Sequence, residues 1–144
     1  MMVCFIVLII DLLVYGLITR GHLKVDITSP KDGQYIGPVE MVTGSAQNIP
    51  RGEEAFLIYR SYSDGLFYPV GRIFPDLKGS WNSPNTAIGA QSDPSGSEFE
   101  IDVALADRDA QVELEGYSKR AESAGLKLLP KGVHICSRAK VKSQ

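Results

Sequence analysis

Chemistry in this chain would have to come from two histidines, two cysteines and one loop rich in acidic and hydroxyl side chains, and their spacing argues against catalysis. A nucleophile needs a base and a group that orients the base. Neither His22 nor His134 has a recognisable partner of that kind, and a hydrolase built on His134 would also require a nearby acid. Ser80, in "KGSWN", lacks the G-x-S-x-G strand-to-helix setting that exposes a catalytic serine. Cys and His show no zinc-ligand spacing. The stretch "SDPSGSEFE" offers Asp93, Ser95, Ser97, Glu98 and Glu100, oxygens of the kind calcium accepts, but not at EF-hand spacing, and it reads as a solvated turn before a strand. Neither glycine-rich phosphate signature occurs. No catalytic residue, metal or cofactor is implied.

Binding is better represented. Tyr59, Tyr62, Phe67, Tyr68, Phe74 and Trp81 fall within one region, and aromatic rings with polar handles give large contact area at low entropic cost. A sandwich fold would draw Trp81 and Phe74 into its core and leave Tyr62 and Tyr68 at the surface. Tyr62, Tyr68 and, if it reaches the surface, Trp81 are the candidate ligand-binding residues, for a protein partner or a glycan.

The chain has 144 residues and a net charge of -2, from 15 basic and 17 acidic side chains. That length suits one two-layer domain once an amino-terminal segment is set aside. The charge supplies no basic field for the phosphates of a nucleic acid, so nucleic-acid binding is not expected. Cys4 lies in the amino-terminal segment and Cys136 near the other end, so no internal disulfide is expected.

Residues 1–20 form the segment that sets the domain organisation. "MMVCFIVLIIDLLVYGLIT" carries a single charge, Asp11, and as a helix would extend roughly 28 Å, close to the hydrocarbon thickness of a bilayer. It reads as a single-pass transmembrane anchor. A cleaved signal peptide is the rival, but no basic residue leads the segment and no small-residue cleavage pattern ends it. Asp11 is costly within a span and suggests transmembrane association with a partner helix; the plainer alternative is one tolerated polar residue. Arg20, His22 and Lys24 follow the span with no basic residue before it, which by the positive-inside rule would place residues 21–144 in the cytoplasm, but so few charges leave the side of the membrane open.

The globular part alternates as strands do. Leu23, Val25 and Ile27 share one face of "LKVDIT", and "SPKDG" then turns the chain. A second strand is expected over Val39–Ala46. "EEAFLIYRSY", apolar on both faces, reads as a central strand. "LFYPVGRIF" is its neighbour, with Pro69 marking an edge or a bulge. Short strands are expected around Trp81 and around Ala87 and Ile88. In "SEFEIDVAL", Phe99, Ile101, Val103 and Leu105 point one way and Glu98, Glu100 and Asp102 the other, predicting one solvated face. Ala110, Leu114, Tyr117, Ala121 and Ala124 then recur at helical spacing, predicting a helix over Arg108–Ala124. The last strand is "VHICSRAKV", with Val133, Ile135, Ala139 and Val141 on one face and His134, Cys136, Arg138 and Lys140 opposite.

About seven short strands with one helix before the last predict a mainly β fold, an antiparallel immunoglobulin-like β-sandwich. The runs "VDITSPKDGQYIGPVEMVTGSA", "FLIYRS", "FYPVGRI", "GSW" and "FEIDVALAD" resemble a bacterial immunoglobulin-like domain of the type that opens with a Ser-Pro-x-x-Gly turn. The resemblance spans most of residues 24–142, although the helix is not part of the usual pattern. It implies a membrane-anchored module for protein interaction, spacing or adhesion, without catalysis. The alternative is a carbohydrate-binding module of the cell envelope.

Overall fold

The computed structural model describes residues 21–89, 93–120 and 124–144. The expected membrane anchor, with Asp11, lies outside the described residues. Among the described residues no helix is long and apolar enough to cross a membrane.

The fold is mainly β with one helix. Along the chain run β1 (Lys24–Ser29), β2 (Tyr35–Ile36), β3 (Val39–Glu40), β4 (Thr43–Gln47), β5 (Glu54–Ser61), β6 (Phe67–Arg72), β7 (Ser80–Asn82), β8 (Thr86–Ala87), β9 (Glu98–Ala106), α1 (Arg108–Ser118) and β10 (Val133–Ser143). Three sheets result: a five-stranded one ordered β2-β10-β9-β5-β6, a three-stranded one ordered β1-β4-β7, and the pair β3-β8. Not every pairing is antiparallel, because β2 runs parallel to β10.

The two larger sheets bury a common apolar core. Leu57, Phe99, Ile101, Val103, Leu105 and Val141 come from the five-stranded sheet, and Ala46 and Trp81 from the three-stranded one. Val25 and Ile27 of β1 pack against it, as their alternation predicts. A smaller core lies on the opposite face of the five-stranded sheet, where Ala110 and Leu114 of α1 cover Phe56, Ile58, Ala104 and Ala106. β5 is therefore covered on both faces, as its continuous apolar run requires.

The expected strand over Val39–Ala46 is two strands. At Met41 and Val42 the chain leaves β8 and joins β1 and β7, and the Val42 N–H donates to Ser83 Oγ at 3.0 Å while its carbonyl accepts from the Ser83 N–H at 2.7 Å. Those two bonds satisfy the backbone where the ladder is interrupted. Pro69 behaves as expected: β6 is an edge strand, and its register against β5 slips between Leu57 and Ile58.

The helix begins where expected and ends earlier, at Ser118, with Lys119 as its C-cap. Ala110, Leu114 and Tyr117 are buried, Ala124 is exposed, and Ala121 lies outside the described residues. Asp107 caps the start, its Oδ1 accepting from the Ala110 N–H at 3.0 Å. Gly132 stands against this cap, since a Cβ there would lie 2.2 Å from the Asp107 carboxylate. Asp107→Ala should lower stability by about 1 kcal/mol, read as a shift in urea midpoint without a change in m-value.

Two assignments of face are corrected. β9 has no fully solvated face: Glu98 is exposed, but Glu100 and Asp102 are 2% and 0% exposed. In β10 the register against β9 slips between Ile135 and Ser137, leaving Cys136 as an extra residue. A single extra residue exchanges the two faces. Val133 and Ile135 consequently share a face with Arg138, Lys140 and Lys142, while Ala139 and Val141 turn into the main core.

Candidate functional site

The corrected register of β10 creates a polar site on the outer face of the five-stranded sheet. Glu100 lies between Arg60 of β5 and Lys140 of β10, and Asp102 between Ile58 and Arg138. Directly opposed residues point to the same face and interact across about 5 Å. Acidic side chains of the central strand thus meet basic ones from both neighbours.

Arg138 organises the pair. Its Nε–H donates to Asp102 Oδ1 at 3.0 Å, and the same nitrogen lies 3.1 Å from Glu100 Oε1. Nε carries one proton, which goes to Asp102, so the contact with Glu100 is an ion pair without a hydrogen bond. Tyr62 donates its hydroxyl proton to Glu100 Oε2 at 2.7 Å. Glu100 Oε1 and Asp102 Oδ2 are buried without a hydrogen bond. Burial pushes the Asp102 carboxyl up to about 6, reinforced by the Glu100 charge and opposed by Arg138 and Arg60. The hydrogen bond to Glu100, more than burial, holds the Tyr62 phenol above its ordinary value. At the surface above the acids lie Tyr62, 43% exposed, and the Arg138 side chain, 46% exposed.

A second feature opens on the inner side of β5 and β6, toward the end of the domain that carries Tyr62. Tyr59 and Tyr68 are cross-strand partners with rings stacked 4.8 Å apart, and Phe99 meets Tyr59 edge-on at 6.4 Å. With Ser61, Ser63, Asp64, Gly89 and Asp93 they line a cleft of about 160 Å³. Tyr68 donates to Asp64 Oδ2 at 2.5 Å, and this bond, ahead of burial, raises its pKa. Burial does the same for Tyr59. The cleft is smaller than the roughly 300–1,000 Å³ of sites for drug-sized ligands.

The expected binding residues are therefore separated. Tyr62 belongs to the acidic site and half-buried Tyr68 to the cleft, whereas Trp81 is 4% exposed and lies in the main core over Gly44. Trp81 offers no surface for a ligand. Phe74, expected in the core, is 76% exposed; Ile73 beside it is buried instead, since neighbouring residues on an extended chain point to opposite sides. Ser80 is exposed. His134 and Cys136 are exposed too, with burial of its surroundings still pushing the Cys136 thiol upward.

The turn before β9 is built from internal bonds, with the Pro94 carbonyl accepting from the hydroxyls of Ser97 at 2.7 Å and Ser143 at 3.0 Å. Among the described residues no three His, Cys, Asp or Glu side chains group as metal ligands.

Asp102 and Arg138 were not among the expected site residues, and Glu100 was weighed only as one oxygen of a loop that reads as a turn. The signal lay in two alternating runs: acids at 98, 100 and 102, and bases at 138, 140 and 142, which the antiparallel register pairs in order. No model of a known protein family matches the chain, and no curated protein matches it either.

Proposed function

We propose that the chain is a membrane-anchored, immunoglobulin-like β-sandwich module that binds a partner protein through the outer face of its five-stranded sheet and carries out no reaction on it. The observation that supports this reading is the clamp on Glu100: Tyr62 and Arg138, both substantially exposed, are held by one buried carboxylate. Tyr and Arg dominate binding hot spots, and side chains fixed beforehand lose less entropy on association. The attachment rests on the apolar run of residues 1–20 and on the few residues that separate it from β1.

The test is position-specific photo-crosslinking in the full chain in its own membrane. A photoreactive residue at Tyr62 should give a discrete adduct that Arg138→Gln reduces at least fivefold. The same residue at exposed Met41, on another part of the fold, should give none. Equal labelling at both positions would remove this reading.

The stacked Tyr59 and Tyr68 rings beside Asp64 favour a second reading, a carbohydrate-binding module of the envelope in which a terminal sugar enters the cleft. In that case envelope oligosaccharides should shift the Tyr59 and Tyr68 ring resonances, and Tyr68→Ala should abolish the shift. A flat response to all glycans would dispose of it.

A further inference from the structure

Exposed apolar side chains occur at several places on the fold, Val112 and Leu128 among them, but two large ones share a single loop. Phe74, 76% exposed, and Leu77, fully exposed, lie three residues apart in the loop between β6 and β7. This loop is firmly built. Asp76 Oδ1 accepts from the N–H groups of Lys78 at 2.8 Å and Ser80 at 2.9 Å, and the Asp76 N–H donates to the Ser80 carbonyl at 2.8 Å. Its tip is thus presented to solvent by a defined turn.

The loop is fastened to the place where the chain enters the domain. Gln47 Nε2 donates to the Lys78 carbonyl at 3.0 Å, and the Ala46 N–H to the Gly79 carbonyl at 2.7 Å. The next residue, Asn48, donates to the His22 carbonyl at 2.9 Å, and Gly21 packs against the same side chain. Consecutive residues at the end of β4 therefore hold both the apolar loop and the first described residues. Phe74 also lines a groove of about 390 Å³ at this end with Ile49, Pro50 and Arg51. Lys24, paired with Gln47, and Arg51 and Lys78 are exposed at this end, where the acids are Asp76 of the loop and Glu53 and Glu54 of the groove.

We infer that Phe74 and Leu77 dip into the headgroup and upper acyl region of the bilayer to which the domain is tethered, holding it against the membrane in one orientation. This rests on residues 1–20 being a membrane anchor, because only then does the chain leave the bilayer beside this loop. Apolar and aromatic side chains with basic neighbours are the composition that settles at a membrane interface. β5 runs from Glu54 at this end to Ser61 at the other, so the same orientation directs Tyr62 and the cleft away from the lipid.

The test uses the full chain in liposomes with Cys4→Ala and Cys136→Ser, carrying one environment-sensitive fluorophore on Phe74→Cys, Leu77→Cys or the control Ser95→Cys, in the distal turn before β9. Labels at 74 and 77 should emit at shorter wavelength and be quenched several-fold more by spin-labelled lipids than the label at 95. Emission at 77 matching that at 95, in protein that alkaline carbonate leaves in the membrane, overturns the contact while keeping the anchor. A shorter wavelength without lipid quenching also overturns it and indicates a second copy of the chain on the loop. Release of the unlabelled chain by carbonate overturns the anchor and the contact together.

Discussion

Arg138→Ala should destabilise the fold by about 3 kcal/mol at neutral pH, because it leaves two buried carboxylates without the cation that faces both. Although Arg138 itself is partly exposed, the cost arises from Glu100 and Asp102, which are not. The pH dependence separates this effect from lost packing. The Asp102 carboxyl stands at about 6 when folded, above its ordinary 3.8, so folding is linked to binding a proton. Its contribution to stability is fully present below 3.8 and is lost as pH rises through 6, amounting to about 3 kcal/mol across that window. Urea midpoints of the native protein should therefore carry a component that improves between pH 7 and pH 4.5, and Asp102→Asn should remove it. The Arg138→Ala penalty should shrink by more than half at pH 4.5, where Asp102 is neutral. A penalty equal at both pH values would assign Arg138 a packing role only.

The contrast between Glu100 and Phe74 shows what alternation in a sequence can establish. It identifies the side chains of β9 that share a face, and Phe99, Ile101, Val103 and Leu105 do lie together in the core. It does not identify what lies over the other face. Glu100 and Asp102 were expected in water because they are charged, yet they are closed over by flanking strands, Tyr62 and Arg138. Only the slip at Cys136, a feature of pairing between distant segments, turns Arg138 to that side. Phe74 fails differently: hydrophobicity suggested the core, but Ile73 occupies it, donating its N–H to the Ala55 carbonyl at 2.8 Å, and the chain then leaves the sheet. Local signals were more legible. The start of the helix stripe and the irregularity at Pro69 depend on neighbours in sequence.

Phe99→Ala should cost about 3 to 5 kcal/mol, the range for emptying a buried phenylalanine site. Phe99 is 1% exposed on β9, which is hydrogen-bonded on both sides, so the surrounding sheet has little freedom to collapse into the space. Its ring fills the gap between Tyr59 and Gly89, where a Cβ would come within 2.5 Å of it. The same ring supports the cleft, since Tyr59 rests edge-on against Phe99 and stacks on Tyr68 with its other contacts. Phe99→Leu should recover at least half of the lost stability but not the edge-on contact. A double-mutant cycle with Tyr59→Leu should return a coupling of about 0.5 to 1.5 kcal/mol, beyond what buried area provides. Trp81, the single tryptophan and buried in the same core, reports unfolding in every variant by its fluorescence. If Phe99→Ala costs under 1 kcal/mol, or the coupling vanishes, β9 does not brace the two tyrosines, and the cleft has no rigid wall on that side.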